Sequence, residues 1–164
     1  MLEDMQMRGA LTVALVGRDG QVAHAQTRRN RIVKSGRLLV AQLFGGVSAG
    51  TPPTAVSHVA VGIDGTPPTD DDAALRSQRA TPNPITAVTY LPFDDQDPGG
   101  AVVKRTRASV TAVFDFDEAN GPEPLREAGL LTAASGGVLY NRVVFDPVTK
   151  TTAFKLTVLW DVVF

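Results

Sequence analysis

The stretch EAGLLTAASGGVLYNRVVFDPVTKTTAFKLTVLWDVVF, residues 127–164, decides the fold class of this chain. Two runs rich in β-branched and aromatic residues, Val138–Phe145 and Thr151–Phe164, flank the turn-forming segment Asp146–Lys150. Such runs are typical of strands, and we interpret the pair as a terminal β-hairpin with Lys150 at its tip. Because the second run ends on Trp160–Phe164, we expect it to pair inside a sheet or against another subunit.

More strands are predicted upstream. Met7–Val16 and Gln21–Thr27 are joined by an Asp-Gly turn, and glycine accepts the positive φ that a tight hairpin demands. Leu125–Leu131 is either a strand or an irregular approach to the terminal hairpin. The remaining β-prone runs are Ser57–Gly62, Ile85–Leu91 and Ala101–Phe116.

One helix is predicted at about Ser35–Phe44, where Leu39 and Leu43 lie four residues apart. Ser35 is the expected N-cap and Gly45 the expected residue after the last turn. A single helical turn is also expected near Asp71–Ser77, because acidic residues favour a helix N-terminus. Many short strands around one helix indicate a mainly β protein, an antiparallel, jelly-roll-like β-sandwich that forms one domain over residues 1–164.

Composition narrows the possible functions. The net charge is −1, which gives no overall attraction to nucleic acid or to an anionic membrane. There is no cysteine, so disulfides and thiolate metal sites are excluded. No apolar run approaches the roughly 20 residues that span a bilayer, and the N-terminus lacks the basic region of a secretory signal. We expect a protein made and used without export, with no nucleic-acid or membrane partner.

The search for catalytic and metal-binding patterns gives no positive prediction. The acids Asp70–Asp72 are interpreted as a helix cap rather than a cation site, although the cation alternative stays open. Asp115–Gly121 resembles a calcium loop but lacks the required glycine and final glutamate. His24 and His58 are far apart in sequence, and no nucleophile or phosphate-binding motif is present. We therefore predict no enzymatic activity, no cofactor and no metal.

A basic cluster follows the N-terminal hairpin and contains Arg28, Arg29 and Arg31. Nucleic-acid binding would need aromatic platforms or a reading helix nearby, and neither is present. The preferred interpretations are a solvated turn or an inter-subunit ion-pair patch facing an acidic loop such as Asp94–Asp97. The candidate interface residues are Arg28, Arg29, Arg31, Trp160, Val162 and Phe164.

Several motifs together resemble a known family. They are Asn30-x-Ile-x-x-x-Gly36, Ser57–Gly62, Asp72–Leu75, Glu127–Leu131, Gly137–Phe145 with Arg142, Lys150, and Leu156-Thr157-Val158-x-Trp160. The chain resembles small structural proteins of tailed bacteriophages and prophages, often encoded among tail or tail-fibre genes. The resemblance covers nearly the whole chain, and its motifs are structural rather than catalytic.

The resemblance implies a β-rich, multi-copy virion component that binds copies of itself and other virion proteins. A tail, baseplate or fibre-attachment position is preferred, with head decoration or a neck position as the alternative. A receptor- or carbohydrate-binding module is a further alternative. The glycines Gly129 and Gly137 are expected at the sheet rim, and three loops are expected to offer contact surface: Gly45–Thr54, Ile63–Asp72 and Phe93–Gly100.

Overall fold

The computed structural model describes residues 7–47 and 49–164, and strands dominate this part of the chain. The elements are β1 (Arg8–Gly17), β2 (Val22–Arg29), β3 (Arg31–Ile32), α1 (Lys34–Gly45), β4 (His58–Gly62), β5 (Gln78–Pro84), β6 (Ala87–Gln96), β7 (Val102–Phe114), β8 (Leu125–Leu131), β9 (Leu139–Val148) and β10 (Phe154–Val163).

The strands form two five-stranded sheets. Sheet A has the order β2-β1-β10-β7-β6, and sheet B has the order β3-β9-β8-β4-β5. All pairings within them are antiparallel. The mainly β sandwich with one short helix, predicted from the sequence, is confirmed.

One hydrophobic core lies between the sheets, because alternate residues of each strand point inward. In β10 the inward residues alternate with partly exposed ones over the whole strand. The sheet A part of the core consists of Leu11, Val13, Leu15, Val110, Ala112, Phe114, Leu156, Val158, Trp160 and Val162.

Sheet B is buried on its outer face as well. A second, smaller apolar cluster there is made of Val33, Ala60, Leu75, Leu131 and Leu139. Leu75 comes from the long connection between β4 and β5, residues 63–77, which lies over the sheet. This explains why almost all consecutive residues of β8, and most of those of β9, are buried, rather than every second residue.

The predicted terminal hairpin is wrong. β9 and β10 are both strands, but β9 belongs to sheet B and β10 to sheet A, so the intervening turn crosses the sandwich. Lys150 in this crossing is 1% exposed and does not tip a hairpin. β10 instead pairs with β1 on one side and β7 on the other.

The helix is confirmed, but its ends differ in detail. Val33 is the N-cap, without a side-chain hydrogen bond, and Gly46 rather than Gly45 has the positive φ that ends the helix. The hydroxyl of Ser35 instead donates to the carbonyl of Leu139 at 2.6 Å, which fastens α1 to sheet B. The helical turn expected at Asp71–Ser77 is wrong, since that segment is irregular.

The middle of the chain has more strand than the sequence indicated. β5 has no counterpart among the predicted strands; it contains two prolines and is an edge strand, where proline is tolerated. β6 extends to Gln96, so only the end of Phe93–Gly100 is a turn. Gly129 lies in the middle of β8 rather than at a rim, and a Cβ there would crowd Leu139 and Leu75.

Candidate functional site

Two of the predicted interface arginines are paired within the chain. Arg31 Nε lies 2.8 Å from Asp70 Oδ1, and Arg37 reaches the same oxygen at 3.1 Å. Hydrogen bonds from Arg31 and then Arg37 lower the pKa of Asp70 to about 2. Arg28 pairs with Asp146 on β9. These contacts join β2, β3 and α1 to other parts of the same chain.

An inter-subunit pairing of the arginines with Asp94–Asp97 stays a prediction, and within one chain Asp94 and Asp95 pair with other residues. Asp94 pairs with Lys104 on the neighbouring strand. Asp95 pairs with Arg8 and, at 3.0 Å, with Arg105. Asp95 and Arg105 therefore lie on the outer face of sheet A, whereas Asp94 and Lys104 share the face of Tyr90 and Ala108.

Arg29 is placed differently from Arg28 and Arg31. It lines a shallow cleft on the outer face of sheet A, together with Arg8, Arg107 and Asp161. Asp161 accepts a hydrogen bond from Ser109 at 2.5 Å. The cleft is open and mixes both signs of charge, which is typical of a solvated sheet face.

The three C-terminal candidates have two different environments. Trp160 and Val162 face the core and are 0% and 4% exposed, so both stabilise the single chain, and only a small part of Val162 reaches the surface. Phe164 is 46% exposed. Its backbone exchanges two hydrogen bonds with Thr106 of β7, at 2.9 and 3.1 Å, which extends the pairing beyond β10.

The most concentrated polar cluster surrounds Arg142, which is fully buried on β9. Its Nε donates to Glu127 Oε2 at 2.7 Å. Nη1 donates to the carbonyl of Thr66 at 2.9 Å and to Asp72 Oδ2 at 3.0 Å. Nη2 donates to Asp64 Oδ1 at 3.2 Å. One guanidinium thus joins β8 and β9 to the connection over sheet B.

Glu127 completes this attachment. It is also fully buried, and its carboxylate accepts backbone hydrogen bonds from Ser77 at 2.8 Å and Arg76 at 3.2 Å. Burial is the largest influence on the pKa of Asp72 and raises it, but donors on Thr69, Arg76 and Arg142 together outweigh burial and lower the pKa. Arginines thus contact Asp70 and Asp72, where the sequence left a cation site open.

Sequence reasoning missed this cluster, although a signal was present. Glu127 directly precedes the apolar residues 128–131 and Arg142 directly precedes 143–145, and charged residues are almost never fully buried unless they are paired. Two opposite charges in neighbouring buried strands therefore indicated an internal ion pair.

Lys150 is a second buried cation. Its Nζ donates to the carbonyl of Asp115 at 2.8 Å and to Asn120 Oδ1 at 3.0 Å, with the carbonyls of Phe116 and Thr151 at 3.3 Å. Burial lowers the pKa of Lys150, and the nearby acids partly oppose this. The segment that resembled a calcium loop is therefore organised around an ammonium group of the chain itself.

An apolar groove of about 300 Å³ lies between α1 and the edge strand β6. Val88 and Tyr90 of β6 lie opposite Val110 and Ala108 of β7, which puts their side chains on the inner face of sheet A. Tyr90 is nevertheless 72% exposed. The other lining residues are Leu39, Val40, Leu43, Ala55, Val56, Leu130, Tyr140, Val162 and Phe164.

Two features of this groove stand out. None of its lining side chains is charged. Tyr140 is 4% exposed, its hydroxyl has no hydrogen-bond partner among the described residues, and burial raises its pKa to about 12. The exposed aromatic ring of Phe44 follows at the end of α1. Because the core is uncovered here, the groove is the surface best suited to bind another molecule.

The other candidates form no site. His24 lies on β2 in sheet A, and His58 lies on β4 in sheet B, where its ring contacts the hydroxyl of Ser57. Within residues 7–47 and 49–164, histidine and acidic side chains do not gather in any group of three or more that would hold a metal ion. No helix in the described part of the chain has the length and apolar character to cross a membrane.

Comparisons with known proteins identify no relative of this chain. No family model matches the chain, and neither a curated protein nor a solved structure matches it.

Proposed function

We propose that this chain is a non-enzymatic structural component of a tailed bacteriophage virion, in a tail, baseplate or fibre-attachment position. The observation that carries the assembly role is the uncharged groove beside β6, where the inner face of a sheet is left uncovered. A contiguous apolar surface of this kind is typical of protein–protein contact sites.

The conspicuous charged groups support a structural role. Arg142, Glu127 and Lys150 are used to hold connections against the sheets. The same residues belong to the motifs on which the phage resemblance rests. Their contacts explain why those motifs are required for folding. A protein that works by shape and by contact between surfaces requires such a stable fold.

Localisation on particles tests the proposal. Particles from the bacterium that carries the gene are purified and labelled with an antibody to this chain under the electron microscope, both intact and after internal sites have been exposed. We expect label at the tail tip, baseplate or fibres. Regular label over the head would replace the tail position by a decoration role, and absence of label in both preparations would refute the virion proposal.

A further inference from the structure

We propose that the groove between α1 and β6 receives Phe44 from a second copy of this chain, in a dimer with two-fold symmetry. The inference rests on the assembly role proposed above and names the partner of the same surface. Each copy donates one phenyl ring and accepts one.

The projecting group is Phe44, which is 96% exposed. It lies one helical turn after Val40, which lines the groove, and next to Leu43, which also lines it. The ring therefore projects beside the groove of its own chain. A side chain this apolar and this exposed gains the most free energy by burial in a partner.

The receiving groove suits an uncharged aromatic group. Its volume of about 300 Å³ lies at the small end of the range for ligand pockets. Its lining side chains carry no charge, so they would leave a charged ligand group without a partner. A phenyl ring requires no such partner.

A second copy fits because the projecting ring and the groove are adjacent on one face. A two-fold axis between them makes both insertions at once, as an isologous interface requires. The exposed parts of Phe44, Tyr90 and Phe164 supply about 400 Å² of aromatic surface per copy, roughly half of the area that a stable interface buries from each partner. With a net charge of −1, two copies repel each other little.

Addition of a strand at the β6 edge is disfavoured as an alternative. Both backbone groups of Thr106 bond to Phe164 and so point toward β10. Pro92, opposite Thr106, therefore directs its nitrogen to the free edge, where it has no hydrogen to donate. This interrupts the free edge in the middle of β6, which disfavours strand addition there and favours side-chain insertion at the neighbouring groove.

Sedimentation equilibrium over a dilution series tests the dimer. We expect the unmodified chain to dimerise and Phe44→Asp to weaken self-association by about 30-fold or more, as the loss of a central aromatic residue does. Val22→Asp, at an exposed valine on β2 away from the groove, is the matched control and should leave the dimer intact. A chain that stays monomeric throughout, or equal association of Phe44→Asp and the unmodified chain, overturns the proposal.

Disulfide trapping tests the arrangement, because the chain has no cysteine of its own. A mixture of Phe44→Cys and Val88→Cys chains should form the mixed disulfide on mild oxidation, whereas Phe44→Cys mixed with Val22→Cys should not. Equal trapping in both mixtures overturns the insertion. Absence of this chain from particles, with the dimer and the disulfide present, would refute only the virion role.

Discussion

At the scale of single residues, close approaches and buried charges determine which substitutions the sandwich tolerates. Gly36 is the clearest close approach, because a Cβ there would lie 1.9 Å from the carbonyl oxygen of Tyr140. The backbone of α1 thus rests directly on β9. Glu127 and Arg142 are the clearest buried charges, and Glu127 is the closest of the three carboxylates that contact Arg142.

Replacing Gly36 by alanine should destabilise the protein by about 2 kcal/mol or more, since backbone atoms have to shift to relieve the clash. The measurement is the free energy of unfolding in urea. Gly45→Ala is the control: it lies in the same helix, and a Cβ there meets nothing within 4 Å. Equal stabilities for the two variants would contradict the close approach.

Glu127→Gln should cost about 3 kcal/mol, because it leaves the buried guanidinium of Arg142 without its closest negative charge. Glu123→Gln makes the same chemical change where the carboxylate is 61% exposed, so its effect should stay within about 0.5 kcal/mol. Chemical denaturation of both variants measures the difference. A loss as small as that of Glu123→Gln would show that Glu127 is not needed to neutralise Arg142.

At the scale of elements, the connection 63–77 acts as a cover for sheet B. Leu75 supplies its apolar contact, and the Arg142 cluster supplies its polar attachment. Asp70 extends this attachment to α1, since its carbonyl accepts the backbone hydrogen of Lys34 at 2.9 Å. The helix, the cover and sheet B are therefore expected to loosen together.

Acid should loosen this cover. The pKa values of Asp64, Asp70 and Asp72 are lower in the fold than their ordinary 3.8. Groups with lowered pKa values stabilise the fold above the ordinary value and lose that effect as the pH falls through the folded value, here from about 4 towards about 2. Hydrogen-exchange protection of the Lys34 amide should therefore fall over this range.

Two variants check that prediction. Asp70→Asn removes the contribution of Asp70, so protection at Lys34 should be lower at neutral pH and should depend less on acid. Asp71→Asn, at the exposed neighbour, should follow the unmodified chain. A pH dependence that Asp70→Asn leaves unchanged would exclude Asp70 as its source.

At the scale of the whole molecule, β10 is the central strand of sheet A and holds it together. It pairs with the N-terminal strand β1 and with β7, and its inward residues include Trp160 in the middle of the core. The last residues of the chain thus join parts that are distant in sequence. Such long-range pairing makes the fold depend on its C-terminus.

Deletion of residues 162–164 should lower the Tm of the monomer by about 5–10 °C, because it removes the buried Val162 and the two hydrogen bonds between Phe164 and Thr106. Calorimetry at a concentration below dimer formation measures this. Phe164→Ala keeps the backbone bonds and should have a smaller effect. An unchanged Tm for the deletion would show that these residues add nothing to the single chain.

The sequence by itself determined the mainly β class, the N-terminal hairpin, the helix at about Ser35–Phe44 and the long strand β7. These features follow from local periodicity, turn residues and helix-ending glycines, which act over a few residues. The tertiary structure decided the sheet to which each strand belongs. A hairpin and a crossing between sheets have the same local pattern, so β9 and β10 were assigned to one hairpin.

Only the tertiary structure decided the partners of the charged side chains. Arg142 meets Glu127, Asp72 and Asp64 because antiparallel pairing of β8 with β9 and the path of one connection bring them together. The tertiary structure also leaves the inner face of sheet A uncovered beside β6. Partner choice across a fold depends on the distance between strands in space, and the order of residues along a chain does not contain that distance.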